Sequence, residues 1–349
     1  MISPSRPRRV FAASLVVTAL LGTAACTGNS KPKQSASATT PVPSASTPAP
    51  KPPAKNPLTG VGPVPRNPVI AVKVDDTAPG RPQVGIDQAD VVYIEAAEGG
   101  LTRLAAIYAT HMPTVGYVRS TRPSDPDLLL QYGKITEAYS GGAHDSLPRV
   151  RKSGITSWSN DAGAAYYSRV NRAASTYINL VLNLAKVAKK TKTNRPKSIG
   201  WTFNPSLAGL PVHAGTDVRT AVTGSYASGT PVEFRYHPRI NKYVRYIGGV
   251  AQKAADGRLV TATNVIVQSC RIVAHPADTD VNGNPSQFTY TVGKGNVAVF
   301  RQGKRLNGTW SRPKVSAGTT LRLSNGKTLP LAPGNTWVVL IRNGIPTAG

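Results

Sequence analysis

Apolar residues fall in short blocks over the first part of the chain. Residues 69–74, 90–96 and 101–110 are three such runs, separated by turn formers such as Pro79-Gly80 and Gly99-Gly100, and they predict strands. Residues 125–132 and 175–190 have helical spacing instead. In the second of these, Ser175 or Thr176 can cap the start, Tyr177, Leu180, Val181 and Leu184 share a face, and Lys186, Lys189 and Lys190 suit the negative end of the dipole. Beyond Gly200 the helical period fades. Residues 232–237 and 242–247 read as strands across the loop 238–241, and 264–273, 296–300, 319–323 and 336–342 continue the series. Asn307-Gly308 and Asn325-Gly326 are dipeptides that type I′ hairpin turns prefer. The pattern predicts an α/β or α+β N-terminal domain over residues 56–197, followed by a mainly antiparallel β-domain over residues 198–349. No internal repeat of fixed period is evident.

The start of the chain has a different character. Arg6, Arg8 and Arg9 precede an apolar run over 10–21 that is too short to span a bilayer, and Gly22-Thr23-Ala24-Ala25-Cys26 follows. This resembles a bacterial lipoprotein signal over residues 1–26, in which cleavage frees Cys26 for acylation. Arg8-Arg9-Val10-Phe11 also resembles a twin-arginine signal, so the export route stays open. Residues 27–55 are rich in Ser, Thr, Ala and Pro, with no aromatic or acidic residue, and read as a disordered tether that cannot repay its ordering entropy. The expected location is extracytoplasmic, lipid-anchored to the outer face of the cytoplasmic membrane. Of the two cysteines, only Cys270 lies in the folded part, so no intrachain disulfide forms there, and Cys270 reads as a small buried strand residue.

Charge sharpens this picture. The 349 residues hold 42 Lys+Arg and 16 Asp+Glu, a net +26; seven of the basic and none of the acidic residues lie before residue 56, so +19 belongs to the rest. Outside the cell such a field attracts lipid phosphates, wall glycopolymers or peptidoglycan carboxylates. Nucleic acid is not expected, because the export signal removes the chain from it and no motif interleaves aromatics with basic residues.

Several motifs occur in fixed order. They are Asn56-Pro57-Leu58-Thr59-Gly60, Pro68-Val69-Ile70-Ala71-Val72-Lys73-Val74-Asp75, Arg81-Pro82-Gln83-Val84-Gly85, Gln88-Ala89-Asp90-Val91-Val92-Tyr93, Glu98-Gly99-Gly100-Leu101-Thr102-Arg103 and Val115-Gly116-Tyr117-Val118-Arg119-Ser120. Ala262-Thr263-Asn264-Val265-Ile266-Val267-Gln268 and Pro333-Gly334-Asn335-Thr336-Trp337-Val338 follow. In this order the chain resembles the YerB-like lipoproteins, a bacterial envelope family in two domains. The resemblance implies two-domain organisation and a membrane anchor, and supplies no established reaction.

Candidate chemistry therefore comes from the residues. Arg81, Arg103, Arg119 and Arg122 each stand at a loop or strand end, where guanidinium groups could converge on a phosphate or carboxylate. Asp75, Asp76, Asp90, Glu95 and Glu98 lie between them. They could pair with these arginines and pin loops, or one of them, Asp75 or Glu98, could serve as a general base. A strand over 135–140 runs into Gly141-Gly142-Ala143-His144-Asp145-Ser146. There the glycines and Ser146 could form an anion nest at a helix start, or Asp145 or Ser146 could be an ordinary N-cap, and His144 is a proton-transfer candidate. No Gly-x-Ser-x-Gly, His-Glu-x-x-His, Walker or dinucleotide motif is present, Ser311-Arg312-Pro313-Lys314 lies in a strand-rich region, and no spacing calls for a metal or cofactor. Three function classes remain. The chain binds an anionic envelope polymer or lipid-linked ligand, transfers or hydrolyses phosphoryl or glycosyl-phosphate groups with the same residues, or serves as an interaction module for another envelope protein.

Overall fold

The computed structural model describes residues 54–224 and 231–347. The first apolar runs form β1 (Ile70–Asp75), β2 (Val91–Ala96) and β3 (Thr102–Tyr108), in which every residue is buried. β3 is antiparallel to both neighbours, which makes β1 and β2 parallel to each other. β4 (Thr114–Gly116) leaves this arrangement for a small sheet with Leu180–Asn183 and Tyr167–Arg169. β5 (Thr136–Tyr139) returns parallel to β1, with Thr156–Ser159 parallel outside it.

The second half extends the same sheet. Thr336–Arg342 lies parallel against β2 on one side and Asn264–Thr279 on the other, so the last strand of the chain joins the two halves. Gly293–Arg301, Lys304–Arg312 and Thr320–Leu323 complete an antiparallel meander, giving twelve strands in one mixed sheet. A five-stranded sheet built around Pro231–His237 and Lys242–Ile247 packs beside it, with Phe234 edge-on to Trp337 at 5.6 Å. The mixed first part and antiparallel second part agree with the fold class read from the pattern. Helices are short: α1 (Asp125–Leu129), α2 (Ser146–Ser153) and α3 (Leu184–Ala188). Among the described residues no helix is long and apolar enough to cross a membrane.

Two expectations are corrected. Residues 175–190 are not one helix. Leu180, Val181 and Leu182 are buried in succession as a strand between β4 and Tyr167–Arg169, and only one turn of helix follows, capped by Asn183 accepting from Lys186 N–H at 3.0 Å. Ser175 Oγ instead accepts from the N–H groups of Tyr177 and Ile178, and Tyr177, placed on the apolar face by the helical reading, is 83% exposed. Pairing across the small sheet outweighs a weak local helical preference. Asn307-Gly308 is not a turn either, since it lies within the strand Lys304–Arg312, and the chain reverses at Gln302 (φ 52°) and Gly303 (φ 69°). Gly308 serves close strand approach, because a Cβ there would stand 2.0 Å from Arg322 O.

Candidate functional site

Six strands of the large sheet, namely β1, β2, β5, Thr156–Ser159, Asn264–Thr279 and Thr336–Arg342, run in one direction. Their carboxyl ends share an edge, the usual place for a ligand crevice in an open parallel sheet. Asp75 closes β1, Glu98 lies in the turn after β2, and Arg103 enters β3 opposite both Asp75 and Glu95. The segment 117–122 is laid between the ends of β1 and β5 by backbone bonds: Arg119 N–H donates to Lys73 O at 3.0 Å, Ser140 N–H to Arg119 O at 3.0 Å and Thr121 N–H to Gly141 O at 2.9 Å. Arg119 and Arg122 are thereby brought beside Arg103.

These three arginines line a cleft of about 450 Å³ with Glu98, Leu101, Ser120, Gly142 and the tip of the hairpin formed by Asn264–Thr279 and Pro285–Tyr290. Arg122 Nη2 donates to Glu98 Oε2 at 2.6 Å, and Arg119 Nε stands 3.2 Å from Asp75 Oδ2, with Arg103 Nη1 3.7 Å from the same oxygen. Asp75 Oδ1 accepts from Thr77 N–H and its hydroxyl. Burial, then the neighbouring Arg122, push the Arg103 guanidinium down to about 10, Asp75 opposing the shift. Burial pushes the Glu98 carboxyl up, but Arg122 and the Ser286 hydroxyl outweigh it and hold Glu98 below the usual range. Arg119 is the most accessible of the three, with its side chain 33% exposed. Its two terminal nitrogens, and Nη2 of Arg103, take no hydrogen bond among the described residues.

Of the remaining candidates only Gly142 touches the cleft. Arg81 donates from Nε to Thr77 O at 3.0 Å and faces Asp76, whose carboxylate is held bidentately by Arg245 at 2.9 and 2.8 Å. Neither Gly141 nor Gly142 has a positive φ, so the turn is no anion nest. The glycines serve close packing instead: a Cβ on Gly141 would meet Asp161 Oδ2 at 2.1 Å, and one on Gly142 would meet Leu147 and Thr121 at 2.9 Å. Neither Asp145 nor Ser146 caps α2 with its side chain. Ser146 Oγ donates to Asp278, Asp145 Oδ2 lies 2.7 Å from His275 Nε2, and His144 is exposed outside the cleft lining. Cys270 is buried as expected, its thiol pushed up to about 12 by burial.

Sequence reading placed a strand over 264–273 but missed its continuation to Thr279 and its partner Pro285–Tyr290. The two strands of this hairpin overhang the carboxyl edge, Ser286 Oγ donates to Glu98 Oε1 at 2.6 Å, and residues 279–282 form one wall of the cleft. The polar turn over 278–284, in which Asp280 accepts from Asn282 and Asn284 N–H, is its signal in the sequence. A second layer also escaped notice. Beneath the cleft Lys73 Nζ lies 2.8 Å from Asp125 Oδ1 and 3.1 Å from Glu95 Oε2, and Asp125 Oδ2 accepts from Arg122 N–H at 2.6 Å. Thr121 Oγ bridges Asp125 and Glu137 at 3.0 and 2.7 Å, so the loop carrying Arg122 rests on a buried ionic network.

The architecture has relatives. The N-terminal domain model described as "Protein of unknown function (DUF3048)" matches residues 58–197, and the C-terminal domain model of the same family matches residues 221–338. The chain is 28% identical over 301 residues to the protein named "Putative lipoprotein YerB" of Bacillus subtilis (strain 168), an alignment spanning 82% of this chain and 86% of that protein. The crystal structure of YerB from Bacillus subtilis aligns with a TM-score of 0.66 at 21% identity, over 85% of this chain and 100% of that one, which shows a shared fold. With both domain models matched in order over most of its length, the chain belongs to the DUF3048 family.

Proposed function

We propose that this protein is an envelope lipoprotein, anchored to the membrane through Cys26, whose carboxyl-edge cleft binds the phosphate or carboxylate groups of an anionic envelope ligand. The lipobox-like sequence before Cys26 and the name of the Bacillus subtilis relative support the anchor. The binding reading rests on one observation. Arg103, Arg119 and Arg122 share a cleft, and three of their terminal nitrogens have no acceptor among the described residues. A phosphate or carboxylate in the cleft would supply those acceptors and relieve the repulsion among the guanidinium groups. Binding is favoured over transfer or hydrolysis because both acids proposed as bases face arginines: Glu98 is hydrogen-bonded to Arg122 and Ser286, and Asp75 accepts from Thr77 through Oδ1 while its Oδ2 is ion-paired with Arg119 and Arg103 without a hydrogen bond.

Isothermal titration with pyrophosphate, on wild type and Arg119→Ala, tests the reading. The substitution should weaken binding by about 1.5–3 kcal/mol, the worth of hydrogen bonds to a charged group. The melting temperature should move little, since Arg103 remains beside Asp75. A flat wild-type titration, or equal affinity in both proteins, would sink the proposal.

A further inference from the structure

The edge opposite the cleft has its own chemistry. No acid occurs between Asp161 and Asp217, while Lys186, Lys189, Lys190, Lys192, Arg195 and Lys197 fall within that stretch. All six are exposed, and none forms an ion pair among the described residues. The segment crosses the amino ends of β1 and β5. Val69 N–H donates to Asn194 O at 3.0 Å, Asn194 N–H to Lys134 O at 2.8 Å, and the Thr136 and Thr191 hydroxyls lie 2.5 Å apart. Lys197 Nζ stands 3.2 Å from where a Cβ on Gly133 would be, beside the exposed Lys134.

The polypeptide that leads from Cys26 joins the described fold at this same edge. Asn56 Nδ2 donates to Thr110 Oγ1 at 2.9 Å, just beyond the carboxyl end of the antiparallel β3, and Asn67 Nδ2 donates to Ala109 O at 3.1 Å. Arg195 donates to Pro65 O and Val64 O at 3.0 and 3.1 Å, tying the basic segment to the incoming chain.

We propose that this basic amino edge rests on the anionic lipid headgroups of the bilayer that holds the anchor. The cleft, at the far end of the six-residue β1, roughly 20 Å away, then opens away from the membrane. Three observations select a bilayer over a discrete ligand. Five of the six cations are lysines, strongly hydrated point charges on flexible stems, which suit a diffuse anionic surface more than a bidentate site. None of the six lines the cleft; they are strung along one exposed segment. The tether arrives here, so an anchored chain holds this edge at high effective concentration near headgroups, and an acyl anchor combined with a polybasic patch is a common membrane device. The orientation rests on the anchored reading of Cys26, but the surface itself can be tested without acylation.

The test uses the full chain carrying Cys26→Ser, sedimented with vesicles of phosphatidylcholine alone or with phosphatidylglycerol added. Any contribution from the N-terminal signal is the same with and without the patch substitutions. Lys190→Gln/Lys192→Gln/Lys197→Gln should lower partitioning onto phosphatidylglycerol vesicles about 100-fold, near fivefold for each charge removed. Raising salt should weaken wild-type binding. Pyrophosphate titration of the triple variant should match wild type, which separates this surface from the cleft; a flat titration in both proteins would count against the cleft alone. Equal partitioning of wild type and triple variant overturns the proposal. So does retention by a soluble anionic wall polymer with none on the vesicles, or vesicle binding lost only in Arg119→Ala.

Discussion

Lys73 and Asp75 lie two residues apart on β1 and so project to one face, both buried, Lys73 toward Asp125 and Glu95 and Asp75 against the cleft's Arg119 and Arg103. Burial alone would lower the Lys73 pKa, but Asp125 and Glu95 raise it, so the ammonium stays charged. Asp125 is held low and ionised because Lys73 outweighs its burial. Burial and then the negative Asp125 push Glu95 up to about 8 against the pull of Lys73, and push Glu137 well above the usual range. The folded protein therefore holds protons on Glu95 and Glu137 that the unfolded chain releases above its ordinary carboxyl pKa of about 4.3. The unfolded state binds fewer protons between pH about 4.3 and 8, so stability falls as pH rises through that window, by up to about 1.4 kcal/mol per unit for each proton. Glu95→Gln should flatten the slope of denaturation midpoint against pH by about one proton between pH 5 and 8. An unchanged slope would mean that Glu95 ionises normally in the fold.

Between residue and molecule, the hairpin of Asn264–Thr279 and Pro285–Tyr290 has the most to say about the site. Its root is an ordinary sheet strand, while its outer part is fastened to the first half by Ser146 donating to Asp278, by Asp145 and His275 at 2.7 Å, and by Ser286 donating to Glu98. Arg149 of α2 stacks over Phe288 at 4.9 Å on the same surface. Removing one fastening should loosen the tip without unfolding the sheet. In Ser286→Ala, hydrogen exchange over residues 278–286 should accelerate by about 10-fold or more, the loss of a hydrogen bond to a charged group, while β1–β3 keep wild-type protection. Uniform acceleration across the protein would show that Ser286 supports the whole fold.

The two family domains are continuous through the sheet, because Thr336–Arg342 stands between β2 and Asn264–Thr279. Asp76 and Arg245 add a buried cross-link between the halves, and Arg245 in turn lies over Trp337 at 5.3 Å. The exposed lysines and arginine over 186–197 offer trypsin an accessible stretch at the end of the first matched domain. Limited trypsin should cut there, and the two fragments should co-elute from gel filtration until denatured. Fragments that separate under native conditions would contradict the shared sheet. Unfolding followed by tryptophan fluorescence and by circular dichroism should likewise coincide, since Trp158, Trp310 and Trp337 all belong to strands of the one sheet.

Local chemistry alone determined the buried strands, the short helix at α1, the hairpin joining 231–237 to 242–247 and the burial of Cys270, because each depends on apolar spacing or turn residues within a few positions. It also marked Arg103, Arg119 and Arg122, since each stands at a strand end or in the loop beside one. Tertiary structure decided the rest. Whether 180–182 were helix or strand depended on partners over ten residues away, and whether Asn307-Gly308 turned depended on the carbonyl of Arg322. Arg81 left its companions for Thr77 O and the neighbourhood of Asp76, and Ser146 found Asp278, 132 residues away. Periodicity reports which face of an element is buried. Which elements meet is set by strand order, and here the insertion of the last strand between the halves places the second domain's hairpin over the first domain's arginines.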